Sequence, residues 1–234
     1  MQFDSPRFAG DAVLEDILND PDTGTKKLQK HSPADAVRKV QQALFDMNWP
    51  LRMLPPITDE SVFVDGDYGP ATEATVLAYK QHYDIHFPPD APTGSYDGLT
   101  GPRTLRKLDP QCVGFDAAAA AIEQKAADLQ AAGLTVELNQ IRPTTAPVLN
   151  SSGSLRTAVI EVTDGAIFHE RGIGAFEVHG AIFDEYKRQI GPSGSLGFPV
   201  SDEQDDGEGF RRSDFQHGVL RWNLDTDVVE LIPA

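Results

Sequence analysis

Six histidines, one cysteine and 36 acidic side chains are the groups in these 234 residues with chemistry to offer. His82 and His86 stand at i, i+4, a spacing that lets two imidazoles on one helix face share a metal. The surrounding residues lack the H-E-x-x-H pattern, and Pro88 marks the helix as ending near His86, so both read as exposed polar side chains. Cys112 is the sole cysteine, which rules out an internal disulfide and a cysteine-based zinc site. There is no G-x-S-x-G, and no histidine lies near Cys112 in sequence to activate it. The acidic run "SDEQDDGEG" at 201–209 lacks the spacing of a calcium loop and reads as a solvated turn. These patterns predict no catalytic residue, no metal and no cofactor: a protein that is not an enzyme.

Binding is the chemistry left. A glycan or peptide site needs aromatic faces and hydrogen-bond donors around a groove. In the first half Tyr68, Thr72, Tyr79, Gln81 and Tyr83 meet that description, although Tyr79 and Tyr83 also fit a core stripe. In the second half Arg211 and Arg212 stand out as adjacent cations, either ion-paired at the surface or turned to an anionic ligand group. Phe198, Phe215 and Trp222 read first as core and second as a ligand platform.

Charge narrows the partner. The net charge is −16; residues 1–110 hold 17 acids and 11 bases, and residues 111–234 hold 19 and 9. Neither half offers the basic face that a phosphate backbone or an anionic bilayer requires, which excludes nucleic acid and membrane surfaces. Neutral glycans and amine-bearing peptides remain. No run of about 18 apolar residues predicts a membrane span. The opening "MQFDSPRFAGDAVLEDILND" lacks the basic and apolar regions of a signal peptide.

Two phrases organise the elements. "DGDYGP" at 65–70 and "DGLTGP" at 97–102 spell D-G-x-x-G-P-x-T twice, 32 residues apart. Each reads as an Asp-Gly turn with proline at the first helical position. Gly66 is placed for positive φ. Helices are expected over 11–19, from an N-cap at Ser32 through Met47, and from Pro70 to Tyr83. Residues 48–64 read as a long loop ending in an extended piece. The pattern stops at Asp109-Pro110, and residues 116–132 form a separate helix between Asp116 and Gly133. From 155 the pattern turns to strands at 157–162, 165–169 and 218–222, with a helix over 180–191 between them. "GAIFHERGIGAFEV" (165–178) echoes "GVLRWNLDTDVVEL" (218–231) at an offset of 53. Residues 121–132 echo the later helix, with "GLTVELN" as an eroded motif.

With these phrases in place, the first half resembles the peptidoglycan-binding-domain-1 family. The resemblance rests on "AVRKVQQAL" (36–44), "VDGDYGPATEATVLAYKQHYDI" (64–85) and "DGLTGPRTLRKLD" (97–109). It departs in the long segment before Asp65 and the insertion at 86–96. The second half resembles LGFP repeats through Leu196-Gly197-Phe198-Pro199, framed by "GAIFDEY" and "GEGFRRSDFQHGVLRW". These resemblances imply an α+β chain: a small three-helix peptidoglycan-binding-like domain over 1–112, a spacer or degenerate repeat over 113–154, and a β-rich LGFP domain with short helices over 155–234. They imply a non-catalytic protein of the cell envelope or extracellular space that binds peptidoglycan or another envelope glycan. Alternatives are a component of a phage-tail-like contractile particle, assembled in the cytoplasm before export with protein partners, or an accessory module of a wall hydrolase.

Overall fold

Asp11 accepts hydrogen bonds from the amides of Val13 and Leu14, and this cap starts the first helix, α1 (Ala12–Leu18). The computed structural model describes residues 1–87, 95–134, 157–162 and 164–234. Most of the proline-rich stretch at 87–92, "GLTVELN" beyond Leu134 and the loop at 142–154 lie outside them. The described residues fall into two compact units, Met1–Val113 and Gly114–Ala234. The fold class is α+β, with every strand in the second unit.

In the first unit, α2 (Ala34–Asp46) buries Val37, Val40 and Leu44 along one stripe. Its N-cap is Pro33 and not Ser32, whose hydroxyl turns back to accept from the amide of Gln29 at 2.9 Å. Residues 48–64 are not the expected loop and extended piece. They hold a 3-10 turn at Pro50–Arg52 and a one-turn helix, α3 (Glu60–Phe63), capped by Asp59. Asp-Glu-Ser at 59–61 is a local helix start, and it overrides the β-branched residues that follow. The helix α4 (Pro70–His82) buries Val76 and Tyr79, with Pro70 at its first position.

The long helix α5 (Pro102–Ala131) continues through Pro110, where the sequence predicts an end. Proline deletes one helical hydrogen bond and crowds the preceding turn. Burial on both sides of it compensates, with Leu105, Leu108 and Cys112 sealed from water. Asp109 adds a polar anchor, its carboxylate accepting from the amides of Asp4 and Ser5 at 3.0 and 2.9 Å. Asp116, expected as a cap, therefore stands inside the helix, whereas Gly133 follows its end with φ 90°.

The duplicated phrase is built as one device used twice. Gln41, fully buried on α2, donates through Nε2 to Asp65 Oδ1 (2.9 Å), to the Asp67 carbonyl (3.0 Å) and to Thr72 Oγ1 (2.9 Å). Its Oε1 accepts from the amide of Gly66 at 2.8 Å. In the second copy Lys80 of α4 takes the same place: Nζ donates to Asp97 Oδ1 at 2.5 Å and lies 3.5 Å from the Leu99 carbonyl. Both aspartates also accept from the amide two residues on, closing the turn. The glycines differ. Gly66 has φ 84°, whereas Gly98 is needed for close approach, since a Cβ there would stand 2.6 Å from the Glu73 carbonyl oxygen.

In the second unit, β1 (Thr157–Val162), β2 (Gly165–Glu170) and β3 (Gly174–His179) form an antiparallel meander. The helix α6 (Gly180–Arg188) follows, then β4 (Gln204–Gly207), β5 (Phe210–Phe215), β6 (Gly218–Asn223) and β7 (Val228–Pro233) in a second meander. The echo in sequence is an echo in register. Val162 faces Gly165 and Thr157 faces Glu170; Phe215 faces Gly218 and Phe210 faces Asn223, each 53 residues on. The last turns of α5 are core here and not a spacer: Ala118, Ile122 and Ala126 bury against Ile167. Ile182 and Tyr186 of α6 stand to Leu220 as Ile122 and Ala126 stand to Ile167.

Replacing Gln41 with alanine strands the Gly66 amide, leaves the Thr72 hydroxyl only its 3.3 Å bond to the Asp67 carbonyl, and opens a void. Urea unfolding followed by helical circular dichroism is expected to show a loss of about 2–4 kcal/mol. Lys80→Met is expected to lose about 1–2 kcal/mol because Asp97 is partly solvated, and Lys80→Gln less than that. Gln41→Ala at the stability of the unaltered chain would refute the clamp.

Candidate functional site

The tyrosines singled out by the sequence are placed in two groups. Tyr68 is buried, its hydroxyl donating to the Gly98 carbonyl at 2.8 Å and paired with Thr100 Oγ1 at 2.9 Å. Burial pushes the Tyr68 phenol well above its usual range. Thr72 is buried in the Gln41 clamp. Tyr79 is sealed in the core and donates to Gln111 Oε1 at 3.1 Å; burial raises its pKa too. All three hydroxyls are committed to internal partners, so these side chains join helices and do not face a ligand. Gln81 is exposed on α4. Tyr83 is half-buried, edge-on to Tyr79 (centroids 4.9 Å), Trp49 (5.8 Å) and His82 (4.6 Å), with Lys107 Nζ 4.8 Å above its ring. Of the five, the structure gathers Tyr79 and Tyr83 around Trp49 and sets Tyr68 and Thr72 at the turns.

His82 and His86 do not share a helix face, because α4 ends at His82. His82 packs edge-on to Trp49, while His86 lies 3.7 Å from Asp84. Burial, then the charges of Arg52 and Lys107, holds the His82 pKa below the ordinary value. Among the described residues no three histidine, cysteine or acidic side chains converge on a metal-holding geometry. A small recess beside the second Asp-Gly turn, lined by Lys80, Phe87 and Thr104, encloses only about 40 Å³. That is room for a water or two and no more.

Arg211 and Arg212 are neighbours on β5 and so face opposite sides of the sheet. Arg211 Nε donates to Glu203 Oε1 at 2.8 Å, and Arg212 pairs with Asp214 at 2.9 Å and Asp206 at 3.4 Å. Both cations are matched internally. The acidic run 201–209 is accordingly solvated only in part: residues 204, 205 and 207–209 are exposed, whereas its start is drawn inward. It contains β4, its Asp202 binds Lys125 at 2.7 Å, and the Glu203 side chain is only 2% exposed. Glu203 reaches His179 Nε2 at 3.5 Å, and His179 Nδ1 bonds Glu177 Oε2 at 2.6 Å. This Glu177–His179–Glu203–Arg211 cluster escaped the sequence reading. Its one signal was a histidine two residues after a glutamate at the end of a strand.

A cavity of ligand size lies elsewhere, in the second unit. A cleft of about 590 Å³ opens between the β1–β2 turn, the start of α6 and the β6–β7 turn. Asp164, Phe183, Asp184, Lys187, Trp222 and Asp227 line it. Its volume falls within the range of about 300–1,000 Å³ typical of small-ligand sites. Trp222 is half-buried, one part packed on the α6 core and its Nε1–H donated to Asp227 Oδ1 at 3.0 Å. Phe198 and Phe215 are fully committed to that core.

The tetrapeptide 196–199 serves this architecture. Leu196 and Phe198 point into the core, and the Tyr186 hydroxyl donates to the Gly197 carbonyl at 2.6 Å. Gly197 has φ 71°, where a side chain is strained, and a Cβ there would press within 2.4 Å of Gln216 Oε1, which accepts from the Phe198 amide. A helix laid on an antiparallel meander, with a cleft at its turns, is the class of module these contacts define. Residues 196–231 match the LGFP repeat, a repeat associated with cell walls and surfaces. No curated protein matches the chain.

The His179 pKa is raised by its hydrogen bond to Glu177. Burial opposes that rise; the charges of Glu177 and Glu203 add to it. The folded state thus favours the imidazolium, and its contribution is complete below the ordinary histidine value of 6.5 and lost as pH rises through the higher native value. Melting temperature followed from pH 5 to pH 9 is expected to fall on the alkaline side more steeply in the unaltered chain than in His179→Gln. Parallel profiles would dissociate the cluster from stability.

Proposed function

We propose that the protein is a non-catalytic binding module of the cell envelope that attaches to peptidoglycan or a related envelope glycan. The observation that carries this reading is the LGFP repeat at 196–231, folded against a cleft of ligand size. The doubled Asp-Gly-x-x-Gly-Pro phrase of the first unit, with its resemblance to peptidoglycan-binding domains, supports the same assignment. Attachment rests on shape, hydrogen bonds and aromatic contact, with no bond broken and no cofactor. The place of action is the envelope or the extracellular space, and a protein partner within a larger envelope assembly is compatible with it.

Purified full-length protein mixed with washed, protein-free sacculi is expected to sediment with them at low salt and, in part, at moderate salt. Absence from the pellet at both salts would overturn wall binding and leave attachment to a protein assembly, such as a contractile particle, as the function to test.

A further inference from the structure

We propose that the cleft of the second unit recognises a primary ammonium group held beside an aromatic face. Within the wall-binding reading, on which this inference rests, two sources carry that group: an unacetylated amino sugar of the glycan, or the free amine of a wall peptide.

The cleft is built from two turns and one helix start. Asp164 sits in the β1–β2 turn with φ 57°, a conformation aspartate tolerates, and its carbonyl accepts from the Gly180 amide at 2.7 Å. That bond fixes the turn against α6 and leaves the Asp164 side chain exposed on the rim. Asp227 occupies the β6–β7 turn with φ 56° and holds the indole of Trp222. Asp184, one turn into α6, pairs with Lys187 at 2.8 Å.

Charge decides which ligand fits. Three carboxylates face one ammonium, and the start of α6 adds only about half a positive charge. The balance stays negative, which repels phosphate and carboxylate groups and attracts a cation. The cleft already shows the contact such a cation would make: Lys187 Nζ lies 4.4 Å from the centre of the Phe183 ring. A ligand ammonium between Asp164 and Asp227 would find carboxylate acceptors beside the cleft's aromatic rings, while the uncapped amides at the start of α6 are left for hydroxyl or carbonyl oxygens. In the first repeat His169 replaces Trp222 and Gly174 stands near the place of Asp227, so this constellation belongs to the second repeat.

Trp222 is also the reporter. The only other tryptophan, Trp49, is buried in the first unit. Fluorescence of the full chain would be titrated with a glucosamine tetramer, its N-acetylated counterpart, the tripeptide Lys-D-Ala-D-Ala and the same tripeptide acetylated on both amines. A saturable change with one or both amine-bearing probes is expected, and whichever titrates identifies the source. The acetylated probes are expected to bind at least about tenfold more weakly, as is any probe to the Asp164→Asn/Asp227→Asn chain. Binding should weaken between about 0.05 and about 0.5 M salt. Trp222→Phe should abolish the signal. Equal binding of acetylated and free probes, or unchanged affinity in the double asparagine variant, would overturn the proposal. Sedimentation with sacculi is read separately: a chain that sediments but titrates with no amine defeats this site alone, and an unaltered chain that does not sediment defeats the functional reading.

Discussion

A side-chain amide with no access to water has to find every partner inside the protein, and Gln41 does so with the turn that launches the next helix. Its bonds to Asp65, Gly66, Asp67 and Thr72 mean that α2 cannot pack without the turn, nor the turn form without α2. A buried network of this kind costs more when broken than it contributes when whole, because each stranded donor loses its water without gaining a partner. Lys80 repeats the arrangement between α4 and the start of α5, exchanging an amide for an ammonium whose partner, Asp97, keeps some contact with solvent. The helices of the first unit are thus spaced by polar clamps, with Val40, Leu44, Val76, Tyr79, Leu105 and Leu108 filling what the clamps define.

The second unit obeys a different constraint. Its first meander is covered on both faces: Ile167 turns to the α5 cluster, while Ala166, Phe168 and Val178 turn to the α6 cluster. A shift of one residue would exchange the two sets, so the register is fixed from both sides. In the second meander Leu220 keeps the role of Ile167, but the opposite face carries Val219, Arg221 and Ile232 where the first has Ala166, Phe168 and Val178. Arg221 there pairs with Asp206 and lies 3.7 Å from the Phe210 ring. Charge in place of a phenylalanine makes this face of the second meander more polar than that of the first.

Elements were legible where the signal was local. The helix over 11–19, the Pro70 helix start, the strands at 157–162, 165–169 and 218–222 and the offset of 53 all depend on neighbours a few residues apart, and the structure reproduces them. The misplacements share one cause. Pro110 ends a helix by local rules, yet burial of Leu108 and Cys112 around it outweighs the one lost hydrogen bond. Glu203 looked solvated within an acidic run, yet Arg211 and His179, far off in sequence, draw it inside. Tyr68, Thr72 and Tyr79 had the right chemistry for a ligand, but periodicity cannot tell a hydroxyl aimed at a groove from one bonded to a neighbouring helix.

The same reasoning explains why a motif can identify a module without identifying what it binds. In 196–199 the leucine and phenylalanine fill the core, and the glycine takes a positive φ beside Gln216 that a side chain would strain. Those demands come from folding and hold whatever the ligand is. The side chains that line the cleft stand on turns and on the rim of α6, where Asp164 and Asp227 adopt left-handed conformations open to several polar residues. Packing places little demand on them, so their chemistry is free to follow the ligand. In the proposed binding reading, specificity is therefore carried by the turns, and the repeat supplies the frame that holds two of them about one cleft.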